Sequence, residues 1–196
     1  SKMTEHEGVS FLVDVGTNAE VVIGNRDWLM ACAGAAGPAL ESGVADMGMM
    51  AAPGVIDSVV IEPDTVAFTI GTIPGRGGTP ATESRGPIGI CGSGLIDLVS
   101  QLFLAGMVDL MGKFVPDRCG ERFSEMDGIG HLMVVPAEAS GTGEPLTLSQ
   151  IDIDGLIRSK AAMYTILTTI SKTVNMAFND IGRFFVAGTF GSYINP

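Results

Sequence analysis

Short apolar runs separated by Gly, Asn and Pro dominate the first half of the chain, and apolar positions at helical spacing dominate two later stretches. Phe11–Val13 and Val21–Ile23 are β-branched and aromatic runs of strand length, joined through Gly16-Thr17-Asn18, whose Gly and Asn accept the positive φ of a tight turn. The pattern predicts a β-hairpin. Asp27–Ala31, beyond the Gly24-Asn25-Arg26 turn, extends it to an antiparallel three-stranded meander over residues 11–32, with Trp28 in the core. A short helix is expected over 33–43, with Pro38 in its first turn and Gly43 at its end.

Residues 44–88 are rich in Gly, Pro and Thr around two strand-like runs, Ser58–Ile61 and Val66–Ile70, with Glu62-Pro63-Asp64 between them; this predicts a hairpin on the surface. The stretch from Arg76 to Gly86 reads as a mobile loop. Leu95, Leu98, Val99, Leu102 and Phe103 then fall on one face of a helix over 95–105 that Gly89–Gly94 introduces. Residues 114–145 mix short strands such as His131–Val135 with acidic, Gly-rich turns and have the character of an insertion. Leu148 opens the longest helix, where Ser149 and Asp152 have capping spacing and Leu156, Ala161, Tyr164, Leu167 and Ile170 carry it toward Met176. Finally Arg183–Ala187 reads as a buried strand running into a second Gly-Thr loop, Gly188–Ser192, which echoes the run from Phe11 to Thr17.

Composition narrows the function classes. Eleven basic against twenty-two acidic residues give a net charge of −11, which repels a nucleic-acid backbone and an anionic membrane surface. The most apolar long window, Leu95–Met111, is broken by Asp97, Gln101 and Asp109, so no segment is expected to span a bilayer. Cys32, Cys91 and Cys119 are odd in number and widely spaced, which fits reduced thiols better than a disulfide framework. No basic and then apolar leader opens the chain, and Ser1-Lys2-Met3 reads as an engineered remnant or an internal cut; together these point to the cytoplasm. Neither His6 nor His131 has metal-ligand spacing, and 46% hydrophobic content over 196 residues is ample for a sizeable core.

The chemistry concentrates at turns. A tight turn at Gly16–Asn18 leaves consecutive backbone N–H groups free for an anion, Thr17 adds a hydroxyl donor, and Asp14 stands at the strand end, where a carboxylate can hold Mg²⁺ through water. An ordinary hairpin turn fits the same residues. Gly92 and Ser93, at a helix N-terminus, suit an anion and equally suit close packing; the G-x-x-G-x-G spacing is not a dinucleotide fingerprint, and no Walker P-loop is present. Glu41 faces either the phosphate loop or plain solvent.

Taken together, Asp14–Glu20, Ala36–Glu41, Gly89–Leu98, Arg158–Ala162 and Val186–Asn195 resemble, in order, the ATP-dependent reductive activators of corrinoid proteins. These belong to the superfamily of acetate kinase, sugar kinases, heat-shock seventy and actin, and the resemblance runs from about residue 11 to the end. It implies an α/β fold, a ribonuclease-H-like lobe combining the antiparallel meander with parallel strands, helices and β-hairpin insertions. The lobe would span 1–196 as one ATPase unit, with its phosphate loop at 14–18, insertions at 44–88 and about 114–147, and an adenosine loop at 188–192.

The same resemblance implies that Gly16, Thr17 and Asn18 bind ATP phosphates beside Asp14, that Asp14 and Thr17 take part in catalysis with Asp14 holding Mg²⁺ through water, and that Gly188, Thr189 and Gly191 bind adenosine. Thr189 stands where the superfamily often has a second Gly. Glu41, Gly92 and Ser93 join the expected cofactor-binding set. The activity implied is ATP-driven reduction of a Co(II) corrinoid to Co(I), with the electron from an iron–sulfur cluster elsewhere in a longer parent, and the partners implied are a corrinoid protein or corrinoid methyltransferase system and the parent's other lobe. The first phosphate motif is absent from these residues, so the chain corresponds to a half-site that binds ATP weakly at best and does not turn it over alone. A non-hydrolysing nucleotide-sensing or partner-docking module of the same fold, or a small-molecule kinase lobe, are the alternatives.

Overall fold

The computed structural model describes residues 2–15, 19–34, 45–75 and 86–188. In chain order these form strands β1 (Ser10–Val15), β2 (Ala19–Gly24), β3 (Leu29–Gly34), β4 (Ile56–Ile61) and β5 (Phe68–Thr72) and helices α1 (Gly92–Leu104) and α2 (Pro116–Cys119). Strands β6 (Phe123–Met126), β7 (Ile129–Val135) and β8 (Leu146–Ser149), helix α3 (Gln150–Thr173) and strand β9 (Arg183–Ala187) complete the set, with single 3-10 turns between them. The described residues fall into two compact units, one from 2–34 and 158–188, the other from 45–157.

The first unit is a four-stranded sheet in the order β3-β2-β1-β9, in which β1 pairs antiparallel with β2 and parallel with β9. Phe11, Val13, Val21 and Ile23 alternate onto one face, where they pack with Ile170, Ile166 and Leu167 of α3. Phe11 and its register partner Phe184 stack at 5.6 Å. The third strand begins at Leu29 rather than Asp27, because the Asn25 side chain accepts the N–H groups of Asp27 (2.9 Å) and Trp28 (3.3 Å) and holds both in the turn. Trp28 is consequently 37% exposed and not a core residue. The expected helix over 33–43 gives up Ala33 and Gly34 to β3, and residues 35–43 lie outside those described, as do 76–85 of the expected loop. Nor is β9 a buried strand: with β1 as its one partner among the described strands, it leaves Phe184 54% and Val186 59% exposed.

The second unit is held by α1 lying along β4. Ile56, Leu95, Leu98, Leu102, Leu132, Leu148 and Ile153 are fully buried in one cluster that also takes in the sheet β6-β7-β8. The hairpin expected on the surface contributes to this core, since Ile56, Val59 and Ile61 of β4 are all buried. Its turn is longer than Glu62-Pro63-Asp64: Glu62 and Ala67 close it, with Val66 at φ 50°. Phe103 leaves the buried face of α1 and is 46% exposed. Arg122 ties the pieces together, donating to the carbonyls of Met133 and Val134 while its guanidinium lies 4.3 Å from the Phe68 ring.

Helix α3 starts at Gln150, two residues later than the pattern suggests, because Leu148 and Ser149 still belong to β8. Its start is a reciprocal cap: Asp152 accepts the Ser149 N–H at 2.7 Å and the Ser149 hydroxyl accepts the Asp152 N–H at 3.2 Å. No described helix is long and apolar enough to cross a membrane.

Candidate functional site

Parallel pairing of β1 with β9 sets Asp14 beside Ala187, so the chain leaves both strands at the same end of the sheet. In sequence, residues 16–18 follow β1 and Gly188 follows β9; Gly188 has φ 90°, a conformation an L side chain resists. The shared end of neighbouring parallel strands is the usual ligand-binding place of an α/β sheet. Asp14 is half-buried on the face opposite the one that α3 covers, since side chains alternate and Phe11 and Val13 take the α3 side. Gly16, Thr17, Asn18, Glu41, Thr189 and Gly191 lie outside the described residues.

A residue that the motif reading left without a role stands next to Asp14. The registers place Ala33, Glu20, Asp14 and Ala187 in one row across β3, β2, β1 and β9. Two carboxylates directly opposite each other on paired strands repel, and the small alanines on either side leave room above them. Hard carboxylate oxygens at a strand end suit Mg²⁺ held through water, so the residues present fit that ion. The even register of a hairpin closing between Asp14 and Glu20 was the signal that could have found Glu20. No cluster of three or more His, Cys, Asp or Glu side chains suited to direct metal ligation occurs among the described residues.

Gly92 and Ser93 open α1 in the second unit, and both are buried. Ser93 Oγ contacts Cys91 Sγ at 3.1 Å. A Cβ on Gly94 would meet the Ile56 carbonyl oxygen at 2.5 Å, and one on Gly89 would meet the Met47 carbonyl oxygen at 2.9 Å. Close packing against β4 therefore accounts for Gly94, and close approach to the Met47–Met49 segment for Gly89. In the first unit, a groove of about 300 Å³ runs between Met30–Ala33 of β3 and Thr165, Ile166 and Thr169 of α3. That groove lies on the α3 side of the sheet, away from Asp14.

The described thiols are free and two are sealed: Cys91 and Cys119 are buried, and burial pushes the Cys119 thiol up to about 11. Burial likewise raises the Asp152 carboxyl above the ordinary aspartate value, against the Ser149 hydrogen bonds, which lower it. Neither group belongs to the Asp14 site.

The sheet ordered β3-β2-β1-β9, one parallel pair beside an antiparallel run, fits the mixed α/β, actin-like ATPase fold of the family whose model matches this chain. The chain belongs to the family described as the C-terminal domain of RACo, the ASKHA domain, whose model matches residues 8–196. A solved structure, "Reductive activator for corrinoid,iron-sulfur protein", superposes with a TM-score of 0.85 at 36% identity, covering 98% of this chain and 29% of that one. The corrinoid activation enzyme RamQ of Eubacterium limosum is 27% identical over 191 residues, 94% of this chain and 30% of that protein. The [Co(II) methylated amine-specific corrinoid protein] reductase of Methanosarcina barkeri is 22% identical over 199 residues, 95% of this chain and 33% of that protein. The chain thus spans about a third of the length of the curated relatives it matches.

Proposed function

We propose that this chain is the nucleotide-binding lobe of an ATP-dependent activator that drives reduction of a Co(II) corrinoid to Co(I) on a corrinoid protein. The observation that carries the reading is the parallel β1–β9 pair, which sets Asp14 beside the Ala187–Gly188 strand end, in a chain whose relatives are named for corrinoid activation and Co(II) reduction. Asp14 would hold Mg²⁺ through water, while Gly16, Thr17 and Asn18 would receive the phosphates and Gly188, Thr189 and Gly191 the adenosine. Bound Mg-ATP supplies the free energy of hydrolysis; the residues of this chain orient it. Reduction consumes one electron per cobalt, and an iron–sulfur cluster in the remainder of a longer polypeptide is its proposed source.

Phosphoryl transfer needs charge stabilisation and a placed water on both sides of the γ-phosphate. These residues supply one side, so the 196-residue chain should release phosphate from Mg-ATP no faster than buffer. The decisive experiment uses a polypeptide carrying this lobe with the further two thirds that its relatives possess. Co(II) to Co(I) conversion is followed spectroscopically with and without ATP, for the native lobe and for Asp14→Ala. Dependence on ATP that Asp14→Ala abolishes supports the proposal; reduction indifferent to both ATP and Asp14 removes it.

A further inference from the structure

The turn between α1 and α2 carries apolar side chains into solvent on a backbone that is tightly held. Leu110 is 89% and Met111 77% exposed. Beneath them, Asp109 Oδ1 accepts the N–H groups of Met111 and Lys113 at 2.8 Å each, the Gly112 N–H donates to the Asp109 carbonyl at 2.9 Å, and the Asp109 N–H donates to the Lys113 carbonyl at 2.8 Å. Gln150 ties the turn to α3: its Nε2 donates to the Gly112 carbonyl at 2.8 Å and its Oε1 accepts the Phe114 N–H at 3.2 Å. Gly112 takes φ 78°, and a Cβ there would collide with Ile157 Cδ1, so the 38% exposed Ile157 abuts the same tip. None of the bonds that hold the turn involves the Leu110 or Met111 side chain. An apolar pair kept rigid in water loses little freedom when a partner covers it, which is the property of an interface anchor.

The charge of the chain lies in the same unit. Residues 45–157 hold fifteen Asp and Glu against five Lys and Arg, and the rest of the chain seven against six, so ten of the eleven net negative charges belong to 45–157. The described cations of this unit are engaged within it: Lys113 with Asp154 at 2.9 Å, Arg118 with the carbonyls of Pro63 and Ala105, and Arg122 with those of Met133 and Val134. Asp109, at the tip itself, is exposed.

We propose that this tip, Leu110 and Met111 with Ile157 beside them, is the docking anchor for the corrinoid protein, and that the matching surface of that protein is an apolar recess ringed by Lys and Arg. The proposal rests on the activator reading above. Charge complementarity selects the occupant. A second copy would bring an equally acidic unit to the contact and be repelled, as would nucleic acid or an anionic membrane. Another domain of the same polypeptide is already held at high effective concentration and gains little from a long-range field. A separate protein that must arrive, take up an electron and leave gains in encounter rate from exactly such a field, and electron-transfer encounters are characteristically small in area. A short rigid apolar anchor within an acidic surface has that form.

The test uses the longer polypeptide that carries this lobe, with its corrinoid protein in the Co(II) state. Binding is measured by calorimetry without ATP, and reduction is followed separately by absorbance with ATP. Leu110→Ser combined with Met111→Ser removes the anchor and leaves every bond of the turn in place; Glu121→Gln combined with Glu125→Gln removes two exposed charges of the same unit. The anchor variant should weaken binding about tenfold or more and raise the KM for the corrinoid protein in step, with kcat and the KM for ATP unchanged. Wild-type binding should weaken as salt rises from about 0.05 to about 0.5 M, and the charge variant should bind less tightly at low salt with a flatter salt dependence. An anchor variant that binds as tightly as wild type overturns the proposal, and so does wild-type binding that salt leaves unchanged. Salt-sensitive binding that needs the anchor, without any reduction, would keep the docking surface and remove the activator reading. ATP-dependent reduction that neither variant alters would keep the activator reading and remove the docking surface.

Discussion

The most exacting prediction concerns how α1 and β4 are joined. Asp97 Oδ2 accepts the Val59 N–H at 2.6 Å and Gln101 Oε1 accepts the Ile61 N–H at 3.1 Å. Four residues of helix rise about 6 Å and two residues of strand about 6.8 Å, so side chains one helical turn apart meet alternate backbone donors on one strand edge. The helix thus does for β4 what a further strand would do: it closes an edge that would otherwise present bare N–H groups. Val59 is 1% exposed, so Asp97→Ala strands a buried donor that water reaches poorly. A hydrogen bond to a charged acceptor contributes about 1.5 to 3 kcal/mol, and Asp97→Ala should cost an amount in that range. Gln101→Ala, removing a neutral bond, should cost about 0.5 to 1.5 kcal/mol, and Asp97→Asn, which keeps an acceptor, less than Asp97→Ala. The two bonds share one strand, so the double variant should depart from the sum. Urea unfolding followed by a probe in the second unit reads these as midpoint shifts at constant slope. Asp97→Ala within about 0.5 kcal/mol of wild type, the range of an ordinary surface substitution, would refute the reasoning.

Other expectations follow from single contacts. Gly94→Ala should destabilise by about 1 to 3 kcal/mol in spite of the better helix propensity of Ala, because its Cβ would meet the Ile56 carbonyl oxygen at 2.5 Å; thermal unfolding unchanged or raised would show that the helix start has slack. Cys119, held protonated to about 11 by burial, should resist alkylation at pH 8 in the native chain and react once the chain is unfolded, which mass spectrometry of the labelled peptide decides.

What the sequence disclosed was periodic or local. The helical faces of α1 and α3 repeat every three to four residues, and Ser149 with Asp152 lie three apart, so pattern alone could place them. What it concealed was pairing at long range. Asp97, Gln101 and Asp109 read as polar breaks in an apolar window, yet two of them serve β4 at separations of 38 and 40 residues. The third, Asp109, uses Oδ1 to accept the N–H groups of Met111 and Lys113. Trp28 was misplaced for the opposite reason: its apolar character outweighed Asn25, a short residue three positions earlier that captures the backbone into a turn. At the site, Asp14 could be singled out because it is the carboxylate at a strand end immediately before the Gly16-Thr17-Asn18 run of the sequence. Glu20 needed the register, which fixes opposition across strands and is only implicit in the count of intervening residues.

Val66 offers a test in which the usual order of two substitutions should reverse. It sits at φ 50° in the turn between β4 and β5, where its N–H donates to the Glu62 carbonyl at 2.8 Å and the Glu62 N–H donates to the Ala67 carbonyl at 3.0 Å. A β-branched residue is a poor occupant of that region, and the left-handed conformation costs an L residue about 1 to 2 kcal/mol. The side chain stays because it packs against the core of the second unit. Truncation to Ala gives up that packing and retains a Cβ in the unfavourable conformation. Truncation to Gly gives up the same packing and releases the strain, at an entropic cost of roughly 0.5 to 1 kcal/mol in the unfolded chain. At Val66, Gly should therefore equal or exceed Ala in stability. At Val59, buried in the extended backbone of β4, the ordinary order should hold, with Ala more stable than Gly by about 0.5 to 1 kcal/mol. Four single variants measured side by side by equilibrium unfolding give both differences, in which the loss of packing cancels at each site. If Ala is the more stable at both positions by the same margin, the turn at Val66 carries no strain and the core contact alone explains the residue.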